Sequence, residues 1–409
     1  MSNKNTMNVL LYAGFKDNAV FYSNVSPPLG LYRLKNYLER RNINCDVHDL
    51  SLKENNFENT LDKISKGHYD VIGISVDAEK MGRYFTLLLD IRNRIKNSGK
   101  KSLVVCGGQG GAHAYKDFIQ KGKTDAVLLG FAEKNFHELC VTFEKNRDKH
   151  ISVYANDISG IAFPKDDLFV DVIKNPSKPL TEEEFKQLNY HEIKDLHIPY
   201  HDYWYHTEKE GAASLNLNKK NKLEANTHLE SADRIVQSDP HCDMPLNKDT
   251  QKFFVETIRL YTSSHCPWKC GFCSSHSFLR MSNATVEQEN KIPQKPKSGA
   301  ELSMNSLATC GSQPHPVYRI TPEQIYDIIE RHCVKYDPKV FLFNDDAFWD
   351  GSTPGFNHIM KLCDLIIEGK NKGRIKKDII FNCQAKVGDF IIKKPVRKLH
   401  DDLIIKLKE

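Results

Sequence analysis

Three cysteines within eight residues, Cys266-Pro-Trp-Lys-Cys270-Gly-Phe-Cys273, are the strongest chemical signal in the chain. The spacing CxxxCxxC lets three thiolates wrap one compact inorganic centre. On a cubane 4Fe–4S cluster, three thiolates leave one iron without a protein ligand, and that iron can bind a chelating cosubstrate. The competing reading is a structural zinc site in which His265 or His276 supplies the fourth ligand. Zinc sites usually draw their ligands as two separated pairs, and the sequence has no second CxxC or HxxxH pair. The other eight cysteines, at 45, 106, 140, 242, 310, 333, 363 and 383, are scattered and read as small buried apolar residues.

The elements that must carry this motif alternate strand and helix. Residues 253–409 open with a strand running into the cysteine loop and continue with a helix over 320–336. Thr321 is its N-cap, and Pro322 and Glu323 lie in its first turn. A strand over 339–348 ends in the acids Asp345 and Asp346, which also suit helix caps. A third strand over 378–390 and a further helix from His400 follow. Gln384 and Lys386, at the end of that third strand, can line a pocket, and Lys386 reads equally well as solvated surface. Residues 1–150 repeat the alternation five times, with apolar runs at 8–14, 44–50, 70–76, 102–108 and 125–130. This pattern predicts a doubly wound parallel α/β sheet of flavodoxin type. Ligands on such sheets sit beyond the carboxyl ends of the strands, here near Gly14, Ser75 and the glycine-rich stretch 106–113. Residues 151–206 read as a hairpin, with its turn at 165–167, and a polar connector. The stretches 207–252 and 281–315 are rich in polar residues and read as flexible inserts.

Composition narrows the class further. The 409 residues carry 58 Lys and Arg against 53 Asp and Glu, too near balance to argue for nucleic acid. No apolar run is long enough to span a membrane, and the short apolar run at the N-terminus reads as a strand. Eleven cysteines with no signal sequence place the chain in a reducing compartment, hence the cytoplasm.

The phrase TSSHCPWKCGFCS, at the top of a first strand and with Phe272 before the last cysteine, resembles the signature of the radical S-adenosylmethionine superfamily. Four N-terminal phrases, at 26–39, 69–76, 104–113 and 125–139, and the hairpin at 158–170 resemble the domain that precedes the radical barrel in its cobalamin-dependent members. The resemblance implies a Rossmann-like cobalamin-binding domain followed by a partial (β/α) radical barrel. Cys266, Cys270 and Cys273 would hold the 4Fe–4S cluster, and S-adenosylmethionine would chelate its open iron. Reduction would then cleave the sulfonium and release a 5′-deoxyadenosyl radical. The backbone at Phe272 would contact the adenine, and Asp345 or Asp346 the cosubstrate's amino nitrogen. Ser75, Gly107, Gly108 and Gly110 would meet the cobalamin, the glycines by letting backbone approach a flat macrocycle. A glycine-rich turn that has lost its ligand, or that takes another nucleotide-like group, is the alternative. The reaction class implied is methyl transfer to an unactivated carbon or a related radical step. It would need an electron donor and a small-molecule or peptide substrate, which the sequence does not name.

Two departures and a shortage qualify the resemblance. Asp46-Val47-His48 resembles the start of a cobalt-ligating DxHxxG box, but it falls on the second strand, and Ser51 stands where the glycine should be. His48 is therefore expected to be an ordinary strand residue. Gly130-Phe131-Ala132-Glu133 stands where the family usually shows Gly-Glu-Gly-Glu. Barrels use about 30 residues per βα unit, so 255–409 without the polar insert 281–315 has room for about four units, and only three strands are countable. The expectation is a fragment, or a chain whose barrel a partner chain completes. A truncated, non-catalytic holder of cobalamin or cluster, and a zinc-stabilised module, are the alternatives.

Overall fold

The computed structural model describes residues 7–13, 27–49, 57–76, 81–200, 246–247, 252–253, 257–265, 282–290, 317–345, 348–349, 352–385, 390–392 and 398–409. They form two compact units. The first comprises the described residues of 7–13, 28–180 and 282–290, the second those of 181–265 and 317–409.

The first unit is built on β1 (Asn8–Ala13), β2 (Asn44–Asp49), β3 (Val71–Ser75), β4 (Leu103–Gly107), β5 (Ala126–Leu128), β6 (Ile161–Pro164) and β7 (Val172–Asn175). Their order is β2-β1-β3-β4-β5-β6-β7, parallel through β5 and antiparallel for β6 and β7. The first five strands thus follow the flavodoxin order 2-1-3-4-5 that the alternation predicts. Period-two burial explains the double layer. On β1, Val9, Leu11 and Ala13 enter one core, while Leu10 and Tyr12 enter the other. The first core takes α1 (Leu29–Glu39) and α6 (Glu133–Lys145) through Leu31, Leu38, Phe136, Leu139 and Phe143. The opposite core takes α2 (Phe57–Ser65), α3 (Met81–Ser98), α4 (Gly108–His113) and α5 (Tyr115–Gln120) through residues such as Leu61, Leu88, Ala112 and Phe118. The hairpin β6–β7 is no appendage, because it extends the sheet with β6 paired to β5.

Two segments read as polar carry buried anchors. In the connector, Thr181 and Glu184 form a reciprocal capping box on α7 (Glu182–Lys186), and a π-turn follows over Gln187–His191. Phe185, Leu196, Ile198 and Tyr200 of this connector are buried, and the Ile198 amide donates to the Tyr336 hydroxyl at 3.1 Å. In 281–315, Ser282 and Ala284 are buried ahead of α8 (Val286–Asn290). Within 207–252, β8 (Leu246–Asn247) pairs with β9 (Lys252–Phe253).

The second unit carries the parallel strands β10 (Thr257–Leu260), β11 (Val340–Phe343) and β12 (Ile380–Cys383) in that order. Helices α9 (Pro322–Tyr336) and α10 (Thr353–Asn371) make the two crossovers. Thr321 caps α9 as its sequence predicts, in a capping box with Gln324 and with Pro322 in the first turn. Phe341 and Phe381 stack at 5.5 Å across β11 and β12. A short antiparallel pair, β13 (Ile391–Ile392) with β14 (Lys398–Leu399), and α11 (Asp401–Lys408) follow.

On the buried face of α9, His332 follows Ile325, Ile328 and Ile329 and meets the Tyr336 ring edge-on at 5.4 Å. Burial, assisted by Lys335, lowers its pKa to about 4. A histidine depressed in the folded state stabilises fully above its unfolded value, and that contribution fades as pH falls from 6.5 towards 4. The loss amounts to about 3 kcal/mol. Urea midpoints of the wild type are therefore expected to fall over this range, and His332→Phe to flatten that slope. An unchanged slope in His332→Phe would contradict the assignment.

Candidate functional site

In the first unit three strand ends lie side by side: Ala13 pairs with Ser75, and Ser75 with Gly107. The strand order reverses between β1 and β3, so this is the topological switch point where open α/β sheets take ligands. The Val76 amide donates to the Gly107 carbonyl at 2.9 Å, and the Gly110 amide donates to the Val76 carbonyl at 3.2 Å. Gly108 has φ +84°, and a Cβ there would stand 2.9 Å from the Val76 carbonyl oxygen. Gly108 thus serves the chain's own turn where the ends of β3 and β4 meet, which is a different reason for glycine than approach to a ligand. Gly107 differs: its backbone is extended, and among the described residues a Cβ would meet only Leu128 Cβ, at 3.8 Å. Ser75 beside it is half-buried. Among the described residues, backbone with room beside it at a switch point suits a large flat cofactor.

The surrounding residues reinforce this end. Gly130, at φ +72°, lies where a Cβ would come within 2.7 Å of Ser177 Oγ, so the first glycine of Gly130-Phe131-Ala132-Glu133 is required by the turn itself. Glu133 pairs with Arg33 of α1 at 2.8 Å, both side chains nearly buried. Burial lowers the pKa of His113, at the end of α4, so its ring is neutral at pH 7. His48 behaves as the ordinary strand residue expected: its Nδ1 lies 2.5 Å from Thr60 Oγ1 of α2, and burial keeps it neutral.

In the second unit the decisive group is Asp345, 2% exposed at the end of β11. Its Oδ1 accepts from the Thr262 amide at 2.8 Å, the Ser263 amide at 2.6 Å and the Ser263 hydroxyl at 2.8 Å. Its Oδ2 accepts from the Thr262 hydroxyl at 2.6 Å. Burial raises its pKa, and these four donors oppose the rise. The Ser264 amide donates to the Tyr318 carbonyl at 2.9 Å, and the Ile320 amide to the Thr262 carbonyl at 3.1 Å. Residues 262–264 are therefore fixed from both sides immediately before Cys266. With both oxygens engaged by the chain, Asp345 acts here as the staple of the cysteine loop's stem.

Cys266, Cys270, Cys273, Phe272, Asp346 and Lys386 lie outside the described residues. Among the described residues, no group of three or more His, Cys, Asp or Glu side chains is placed to hold a metal. The described cysteines are not poised as thiolates: burial pushes Cys45, Cys106 and Cys140 well up, Cys333 to about 12, and Cys363 and Cys383 to about 11. The carbonyl of Gln384 accepts from the Phe348 amide at 2.9 Å. Among the described residues, no helix is long and apolar enough to cross a membrane.

Residues 18–140 match the family model of the B12 binding domain. Nearly the whole chain superposes on OxsB, a cobalamin-dependent S-adenosylmethionine radical enzyme solved with aqua-cobalamin and S-adenosylmethionine bound: TM-score 0.56, 14% identity, 99% of this chain and 42% of that one. The chain shares the fold of the cobalamin-dependent radical S-adenosylmethionine enzymes. The radical S-adenosylmethionine methyltransferase TsrM from Kitasatospora setae, solved with tryptophan substrate and a S-adenosylmethionine analogue, is likewise similar. That match has TM-score 0.52 and 13% identity over 98% of this chain and 57% of that one. No curated protein matches the sequence. The chain thus spans about two-fifths to three-fifths of the radical enzymes it resembles.

Asp345→Ala strands two backbone amides next to the cysteine motif and is expected to lower stability by about 3 kcal/mol. Asp345→Asn, which keeps acceptor capacity on one oxygen, is expected to lose less. Urea denaturation of the two variants checks this, and an alanine variant as stable as the wild type would remove the staple from the account.

Proposed function

We propose that the chain binds cobalamin and a 4Fe–4S cluster as part of a radical S-adenosylmethionine enzyme that transfers a methyl group to an unactivated carbon. The observation that carries the reading is the CxxxCxxC motif placed directly after β10, whose end Asp345 fixes, in a chain with a B12 binding domain match ahead of it. Cys266, Cys270 and Cys273 hold the cluster, and the backbone at Phe272 faces the adenine of S-adenosylmethionine. Asp346, with its neighbour Asp345 occupied by the stem, is the acid left to receive the cosubstrate's amine. Ser75 and Gly107 line the cobalamin, while Gly108 and Gly110 shape the turn beneath it. When bound, these groups together supply reductive cleavage of a sulfonium and a methyl donor to carbon. The protein's own work is placement: Thr262, Ser263 and Asp345 hold the loop stem, and the register of Ala13, Ser75 and Gly107 holds the corrin face.

The reading includes an electron donor for the cluster, a small-molecule or peptide substrate, and work in the cytoplasm with neither nucleic acid nor a membrane as partner. It also includes a partner chain on β12. Among the described residues that strand is one of the two edges of its three-stranded sheet, and Ile380 on it is 54% exposed.

Anaerobic reconstitution with iron and sulfide tests the reading. A brown, oxygen-sensitive protein that cleaves S-adenosylmethionine to 5′-deoxyadenosine or a methylated product is expected, and Cys270→Ala should abolish the colour. A brown protein inert with and without a coexpressed partner would make it a non-catalytic holder, and a colourless protein with one zinc would overturn it. Gly107→Leu, at an extended backbone position that tolerates a side chain, is expected to weaken aqua-cobalamin binding by ~10-fold or more. Cys270→Ala should leave that binding intact. Equal cobalamin affinity in Gly107→Leu and wild type would move the corrin site elsewhere.

A further inference from the structure

Glu289 lies in a stretch whose composition reads as solvated, yet its side chain is 7% exposed. One of its oxygens is bonded by Lys174 of β7, whose side chain is 1% exposed. The other accepts from the Tyr115 hydroxyl of α5 at 2.6 Å and lies 3.8 Å from Lys116 Nζ. The Lys174 ammonium also sits 5.3 Å from the centre of the Tyr115 ring. Removing two charges from water costs several kcal/mol per ion, so a pair this buried is a weak source of net stability. What such a pair does well is fix one arrangement, because losing either partner leaves the other charge buried without its nearest counter-ion.

The arrangement it fixes is the chain just after the cysteine motif. The Ser177 amide, just past β7, donates to the Ser282 carbonyl at 2.9 Å, and Ser282 and Ala284 are buried. Thr285 and Gln288 then cap α8 reciprocally, Thr285 amide to Gln288 at 2.9 Å and Gln288 amide to Thr285 Oγ1 at 3.2 Å. All of these contacts gather at one end of the sheet. Asn175, at the end of β7, pairs with Ile161, which pairs with Leu128 at the end of β5. Tyr115 begins the helix that follows the Gly107–His113 turn. Residues 282–290 are thus fastened where β5, β6 and β7 meet, at the same end of the sheet as Ser75 and Gly107.

We propose that Lys174 and Glu289 are positioning residues for the cysteine loop, their buried ion pair tying the segment that leaves Cys273 to the cobalamin-binding end of the first sheet. This rests on the cluster reading given above. Residues 282–290 are then a strap whose deeply placed acid, Glu289, is matched by a lysine contributed from the hairpin.

The full chain is compared with Glu289→Gln, Lys174→Met and the double variant Lys174→Met/Glu289→Met. In the apo chain, each single change is expected to speed hydrogen–deuterium exchange of the peptide covering 282–290 by ~10-fold or more, with β1, β3 and β4 still protected. The double variant, which removes both charges of the buried pair, should recover most of the protection. In the reconstituted protein, the single variants should lose iron to a chelator several-fold faster than wild type, and the double variant should be rescued. Unchanged exchange in the single variants overturns the strap. Faster exchange with wild-type iron release overturns its role towards the cluster. A wild type that takes up no cluster overturns the proposed function and this role with it, whatever the exchange shows.

Discussion

The buried carboxylate of Asp345 governs how the chain enters its cysteine motif. A carboxylate taken from water without donors would cost several kcal/mol, and here four hydrogen bonds from Thr262 and Ser263 meet it. Two of them come from backbone amides, so the bond network defines the path of the main chain and not merely side-chain positions. The run Thr262-Ser263-Ser264 supplies hydroxyls small enough to reach back, and the pairing of 262–264 with 318–320 locks the other side. A loop required to present three thiolates to one inorganic centre needs such a stem, since misplacement by a fraction of an ångström spoils coordination.

The same logic recurs at the far end of the motif with different chemistry. There a salt bridge, a phenol and a backbone hydrogen bond hold residues 282–290 on the hairpin and α5. Both anchors are polar groups buried with their partners, and polar anchors of this kind specify one geometry more sharply than apolar contacts do. The glycines follow a related economy. Gly108 and Gly130 answer to close backbone and side-chain neighbours of their own chain, whereas among the described residues a Cβ at Gly107 would make only an ordinary contact with Leu128.

Legibility in the sequence followed the range of the interactions. The sheet of the first unit is readable because alternation and strand length are local, and β1 sorts its residues between two cores as period two demands. The Thr321–Pro322 start of α9 is readable for the same reason. The connector at 181–200 was harder: its buried Phe185, Leu196 and Ile198 are spread among glutamates and lysines, so composition hid them. The partnerships of Asp345 with Thr262 and of Glu289 with Lys174 join residues far apart in the chain, and nothing in either neighbourhood announces the partner. An acid at a strand end carries the same local signature whether it meets a cosubstrate or staples a loop.

The central claim is that this chain holds, through three thiolates, an iron cluster with one corner open to a sulfonium donor. Mössbauer spectroscopy of the 57Fe-reconstituted full chain, recorded with and without S-adenosylmethionine, addresses it most directly. The account predicts a 4Fe–4S spectrum in which a single iron site changes its isomer shift when S-adenosylmethionine is added. Four irons that all ignore the addition, or a spectrum without a cubane cluster, would contradict it.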